Sequence, residues 1–278
     1  MSDDVRTALG LASEQSLELL KELHILTREG RLNQDSRRKL KQVDHLYRFI
    51  APLLAEVVAE KGGVTLVDHG AGKSYLGFIL YDRFFRHQET GMLHGIESRA
   101  ELVDKSRALA ARLGFERMQF LASRIEDALV TSELPLQVDG VTALHACDTA
   151  TDDAIRFALT RQARFIVLVP CCQAEVAAEL RRTKQVALSA SGLAELWRHP
   201  LHSRELGALV TNVLRCLLLE AHGYTVTVTE LVGWEHSMKN ELILARRHEG
   251  KPRGNARERA QAILEAMHLA ALSPRFLY

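Results

Sequence analysis

Apolar and polar positions along the chain follow two different periods. Near the N-terminus the spacing is helical. Leu17, Leu20, Leu23 and Ile25 mark one face of a helix that Gly30 stops, and Leu46, Phe49, Ile50, Leu53, Leu54 and Val57 mark another over residues 36–59. Pro52 lies inside the second and predicts a kink or break there. After Lys61-Gly62-Gly63 the pattern changes to short apolar runs separated by helical stretches. Residues 64–67, 92–96, 118–121, 138–144 and 165–169 read as buried strands. Helices are predicted from Leu76, Ile79 and Leu80, and over 100–113, 152–161 and 204–221. Repeating strand–helix units imply a parallel sheet with right-handed crossovers. The last two strands, 225–232 and 241–246, are joined too closely for a crossover and must pair antiparallel. The expected organisation is an N-terminal helical extension (1–60), an α/β domain (61–248) and a basic, helical tail (249–278).

Composition changes this picture little. The 278 residues are 47% hydrophobic and 26% charged, ordinary for one α/β domain with additions. A net charge of +1 excludes a global field that would draw in nucleic acid or a membrane. No 18-residue apolar span occurs, and Asp3, Asp4 and Arg6 are not followed by a signal-peptide core, so the expectation is a cytoplasmic protein without a membrane partner. Cys147, Cys171, Cys172 and Cys216 are then expected to be reduced.

The candidate chemistry begins where the first strand ends. Asp68 is followed by Gly70-Ala71-Gly72-Lys73-Ser74 and then by a helix. Glycines at a strand–helix turn let backbone approach a ligand, and the helix start offers unpaired N–H groups. A phosphate-binding P-loop needs a glycine where Val67 stands, and a dinucleotide fingerprint needs one where Tyr75 stands. Asp68 would repel a phosphate and attract a cation. The acid followed by Gly-x-Gly resembles the first motif of class I S-adenosylmethionine-dependent methyltransferases. That resemblance brings in the cofactor and implies a Rossmann-like seven-stranded sheet, mostly parallel, in the order 3-2-1-4-5-7-6.

A second resemblance is narrower. Leu144-His145-Ala146-Cys147-Asp148-Thr149-Ala150-Thr151-Asp152, with Pro170-Cys171-Cys172-Gln173 downstream, resembles a methyltransferase subfamily with LHAC(G/D)-x-ATD and CC(H/Q) signatures. Its members include tRNA 2′-O-ribose methyltransferases. The likeness spans about residues 39–246 and takes in Lys41-Gln42 and Gly72-Lys73. The chain departs from it at Ser74, where glycine is usual, and at Gln173, where histidine is common. The resemblance implies methyl transfer to RNA; the alternatives are a small-molecule or protein methyltransferase, or a non-catalytic binding protein of the same fold.

In open α/β sheets the ligand lies beyond the carboxyl ends of the strands, so the strand-end residues are the candidates. Asp68, Gly70, Gly72 and Lys73 are expected at the cofactor. Glu97 closes the second strand and can accept hydrogen bonds from ribose hydroxyls. Ser123 and Ile125 follow the third strand, where the resemblance places adenine. Asp148 and His145 stand beside the transferring methyl group; each can orient or deprotonate a nucleophile, and Asp148 can equally cap the helix that follows. Cys171, Cys172, Gln173 and Lys239 are expected on the substrate side. A zinc site using His145 and Cys147, and a methyl-accepting cysteine thiolate, are alternatives to small buried pocket walls. No metal is expected. Three segments, 28–48, 180–204 and 246–259, each carry a charge of about +4 and would form a phosphate footprint if they shared a face.

Overall fold

The computed structural model describes residues 15–31, 34–144, 146, 148–170, 173–190, 192–231, 241–248 and 254–278. Its centre is a seven-stranded sheet of order β3-β2-β1-β4-β5-β7-β6. The strands are β1 (Thr65–His69), β2 (Met92–Glu97), β3 (Met118–Ala122), β4 (Gly140–Leu144), β5 (Phe165–Val169), β6 (Tyr224–Glu230) and β7 (Glu241–Arg247). The first five run parallel; β7 pairs antiparallel with both β5 and β6. Order and direction are those implied by the family resemblance.

Helices cover both faces, as buried parallel strands require. On one face lie α1 (Leu17–Glu22), α2 (Gln34–Lys61), α3 (Tyr75–Arg83) and α4 (Ala100–Arg112). Leu46, Ile50, Leu54, Phe78 and Leu80 of this layer are buried in one cluster with Leu66 of β1 and Phe165 and Val167 of β5. On the other face, α5 (Ile125–Ala128), α6 (Thr149–Thr160) and the C-terminal half of α9 (Pro200–Ala221) enclose Val67, Val141, Ile166, Leu168 and Ile243. A third cluster joins the rest of α9 to α7 (Glu175–Arg182), α10 (Ala256–Ala266) and α11 (Ser273–Phe276). Each fully buried Leu, Ile or Phe contributes about 2–3 kcal/mol of hydrophobic stabilisation.

Four local expectations change. Helix α2 runs unbroken through Pro52, which is exposed. The carbonyl that proline deprives of its helical donor therefore faces water rather than the core. Helix α1 stops at Glu22 instead of reaching Gly30, because His24 adopts a left-handed backbone (φ 54°) and the amides of Ile25 and Leu26 turn back to the Leu20 carbonyl. Helix α6 begins at Thr149 rather than 152. Between β5 and α9, where the apolar pattern showed no element, α7 is followed by α8 (Lys184–Ala190) and a 3-10 turn. Among the described residues no helix is long and apolar enough to cross a membrane.

Candidate active site

The strand register brings the candidate acids to one end of the sheet. Asp68 pairs with Gly95 of β2 and Thr142 of β4, and Glu97 pairs with Ala122 of β3. Asp68 is 2% exposed, and its Oδ1 accepts the Thr142 hydroxyl at 2.7 Å. Burial pushes its carboxyl up to about 7, against the opposing effect of that hydrogen bond. A buried acid whose partner is a neutral hydroxyl is suited to a cationic ligand, which would return it to the ionised form.

The glycine loop folds back over β2. Gly70 and Gly72 have φ of 63° and 58°, a backbone glycine adopts without steric cost. The Ala71 amide donates to the Ile96 carbonyl at 3.0 Å and the Gly72 amide to Glu97 Oε2 at 2.8 Å. Ser74 also takes a left-handed backbone (φ 52°), a conformation that glycine adopts at lower steric cost. Its hydroxyl is buried without a hydrogen-bond partner among the described residues. The Lys73 side chain opens onto a separate cleft of about 430 Å³, shared with Leu23, Leu102, Lys105 and Leu109 between α1, α3 and α4.

Glu97 is 6% exposed and closely held. Burial alone would raise its carboxyl, but hydrogen bonds from the Arg99 side chain and amide and from the Gly72 amide keep it below the usual range. The turn after β3 is fastened to it: the Ser123 amide donates to the Glu97 carbonyl at 3.1 Å, and the Ser123 hydroxyl to the Arg124 carbonyl at 2.8 Å. Ile125 opens α5.

Asp148 does not cap the helix it precedes. Its Oδ1 accepts the amides of Ala174 (2.9 Å) and Glu175 (3.4 Å), so it caps α7 and ties the loop after β4 to the loop after β5. Its backbone (φ 49°, ψ −122°) is one that glycine, asparagine and aspartate tolerate best. The next loop is packed beneath the glycines: a Cβ on Gly70 would lie 3.8 Å from Ala146. Gln173 is buried, and its amide donates to Asn212 Oδ1 at 3.1 Å. His145, Cys147, Cys171, Cys172 and Lys239 lie outside the described residues, so the zinc and thiolate alternatives do too.

Arg215 of α9 was not singled out by its pattern, although it is a lone charge in the apolar run 213–219. It is fully buried. Its Nε and Nη2 each donate at 2.8 Å to the two oxygens of Asp152, and Nη2 also donates at 2.8 Å to the Asp148 carbonyl. Nη1 reaches Asn212 Oδ1 at 3.2 Å, and Asn212 donates to Glu241 at 2.7 Å. A charge within an apolar run needs such a partner, and that requirement was the available signal.

Among the described residues, segments 180–204 and 246–259 do not meet at one pole of the sheet. Arg48, Arg182, Arg198, Arg204, Arg246 and Arg259 pair with Asp44, Glu179, Glu195, Glu205, Glu56 and Glu220 respectively. Arg246 lies opposite Phe165, at the amino end of β5, whereas segment 180–204 follows that strand's carboxyl end.

Comparison with known proteins agrees with this geometry. A family model described as a methyltransferase domain matches residues 38–179, just over half of the chain. No curated protein matches. Among solved structures the chain is similar to a fibrillarin/Nop5p complex (14% identity, TM-score 0.42, covering 70% of this chain and 80% of that one). It is also similar to an rRNA methylase from Streptococcus thermophilus (11%, 0.42, 71% and 93%). A third is the magnesium protoporphyrin IX methyltransferase of Synechocystis PCC 6803 with bound SAH (13%, 0.43, 88% and 97%). At such identities and TM-scores these likenesses bear on neither substrate nor mechanism. The family match, the strand order and the acid–glycine–acid arrangement at the carboxyl pole lead to one conclusion: the chain belongs to the methyltransferase-domain family and is an S-adenosylmethionine-dependent methyltransferase.

Proposed function

We propose that this enzyme methylates RNA, with the acceptor entering over the carboxyl pole between the loops that follow β4 and β5. When bound, S-adenosylmethionine supplies a methyl group activated on a sulfonium. Asp68 receives the cationic end, the Gly70–Gly72 backbone permits close approach, Glu97 accepts from ribose hydroxyls, and the turn at Ser123 and Ile125 flanks the base. Displacement at an activated carbon needs alignment above all, and alignment can be worth about 7–11 kcal/mol. Asp148 serves it by holding the two acceptor-side loops together through α7. Where the nucleophile carries a proton, His145 is the candidate base. Cys171, Cys172, Gln173 and Lys239 belong to the acceptor side of the same reading.

The observation that carries RNA as acceptor is a pair of cations without ion pairs among the described residues, Arg181 and Lys184, on the elements that follow β5. Uncompensated cations beside a site are what phosphate contacts require. A small-molecule or protein acceptor is the second reading, favoured by the four ion pairs to acids outside the basic segments, which offset part of their excess charge. Tritium transfer from labelled S-adenosylmethionine into total RNA and total protein, offered separately, decides between them. Label in RNA that diminishes with salt supports the proposal; label confined to protein or to the small-molecule fraction overturns it.

A further inference from the structure

The Glu97 carboxylate accepts from five donors. Two are backbone amides, Gly72 at 2.8 Å and Arg99 at 3.0 Å. The Ser98 hydroxyl adds a third at 3.3 Å. The Arg99 guanidinium supplies the rest, Nε to Oε1 at 2.9 Å and Nη2 to Oε2 at 3.3 Å. An ionised carboxylate has about four lone-pair sites, so this one is full. A ribose hydroxyl can bond to it only if a donor leaves.

The donors differ in how readily they leave. The two amides are fixed by the chain course. The Arg99 side chain is 62% exposed, on a long flexible stem. Its fork places one N–H on each carboxylate oxygen, the pattern in which two vicinal hydroxyls would also bind. Nη2 further lies 3.9 Å from the point a Cβ on Gly72 would occupy, so the guanidinium overhangs the turn where backbone and ligand should meet.

We propose that Arg99 holds the vicinal-diol position on Glu97 until an adenosyl ligand displaces it, so that this side chain lowers the enzyme's affinity for its own cofactor. The inference rests on Glu97 being the ribose acceptor. A protein whose binding-competent form is only partly populated binds more weakly by that fraction. A two-pronged Arg–carboxylate pair lies in the upper part of the range for exposed ion pairs, which sets the expected change at roughly two- to fivefold.

Calorimetric titration of the full chain with S-adenosylhomocysteine tests this on wild type, Arg99→Ala and Glu97→Gln. Arg99→Ala should bind roughly two- to fivefold more tightly. The gap should narrow as salt is raised, because salt screens the pair. A variant that binds equally or more weakly overturns the proposal, since Arg99 would then be inert or a ligand contact. Glu97→Gln separates the two layers of the argument. If it leaves affinity unchanged, the ribose reading of Glu97 fails; if it weakens binding while Arg99→Ala does not tighten it, only the displacement fails. Arg99→Met, which keeps the apolar stem, should behave as Arg99→Ala does.

Discussion

The Thr142 hydroxyl donates to the Asp68 carboxylate at 2.7 Å across the β1–β4 register, joining two fully covered side chains at the end of the sheet. This bond favours ionised Asp68, but burial outweighs it and holds the carboxyl at about 7. The folded value lies above the ordinary one near 4, so the stability it contributes is complete below that value and is lost as pH rises through 7. Ligand binding runs the other way, because a cation selects the ionised form. Affinity for S-adenosylmethionine should therefore fall as pH is lowered from 8 to 6, with a proton released on binding. Asp68→Asn should bind weakly and without this pH dependence. Calorimetry in buffers of different ionisation enthalpy measures both quantities; a flat wild-type profile would remove Asp68 from the cofactor contacts.

His69, the next residue, is fully buried with neither ring nitrogen partnered among the described residues, and its ring packs edge-on with Phe157 at a centroid separation of 4.5 Å. Burial pushes it down to about 3. A histidine lowered in this way contributes stability above about 6.5 and loses it as pH falls toward 3. Each unpartnered buried polar group also costs about 1–3 kcal/mol. His69→Leu should therefore raise Tm by several degrees, and by more at pH 5 than at pH 8. Scanning calorimetry at the two pH values checks this; an equal or lower Tm would mean that the ring has a partner in solution.

The Arg215–Asp152 pair is buried, and removing one member strands the other. Arg215→Met alone should destabilise by about 3–5 kcal/mol, whereas Arg215→Met with Asp152→Leu should recover most of the loss. The double variant still lacks the guanidinium bond to the Asp148 carbonyl. Amides 174 and 175, which Asp148 caps, should then exchange faster even though global stability is restored. Denaturant unfolding and hydrogen exchange read the two effects separately. Unchanged exchange at these amides would show that Arg215 does not support the loops after β4 and β5.

The sequence by itself determined the seven strands and the helices between the first five, though not α7 and α8 or the ends of α1 and α6. Short apolar runs closed by Asp68 and Glu97 are local signals, because a buried parallel strand needs apolar residues on both faces and its carboxyl end meets the ligand. The closing antiparallel pair was likewise legible from the length of its connection. Motif resemblance added the strand order and the cofactor.

Tertiary structure decided what each side chain does once the strands are assembled. Pro52 is tolerated because its turn of α2 faces solvent, a matter of which neighbours surround it. Ser74 and Asp148 both take positive φ values, a backbone that no pattern of polarity records. Asp148 makes no local cap; its carboxylate reaches amides 26 and 27 residues away. Arg215 finds Asp152 across 63 residues, and Thr142 finds Asp68 across 74. Periodicity along a chain reports which face of an element is buried, because that depends on neighbours three or four positions away. The partner of a buried charge depends on how whole elements pack, and only coordinates carry that.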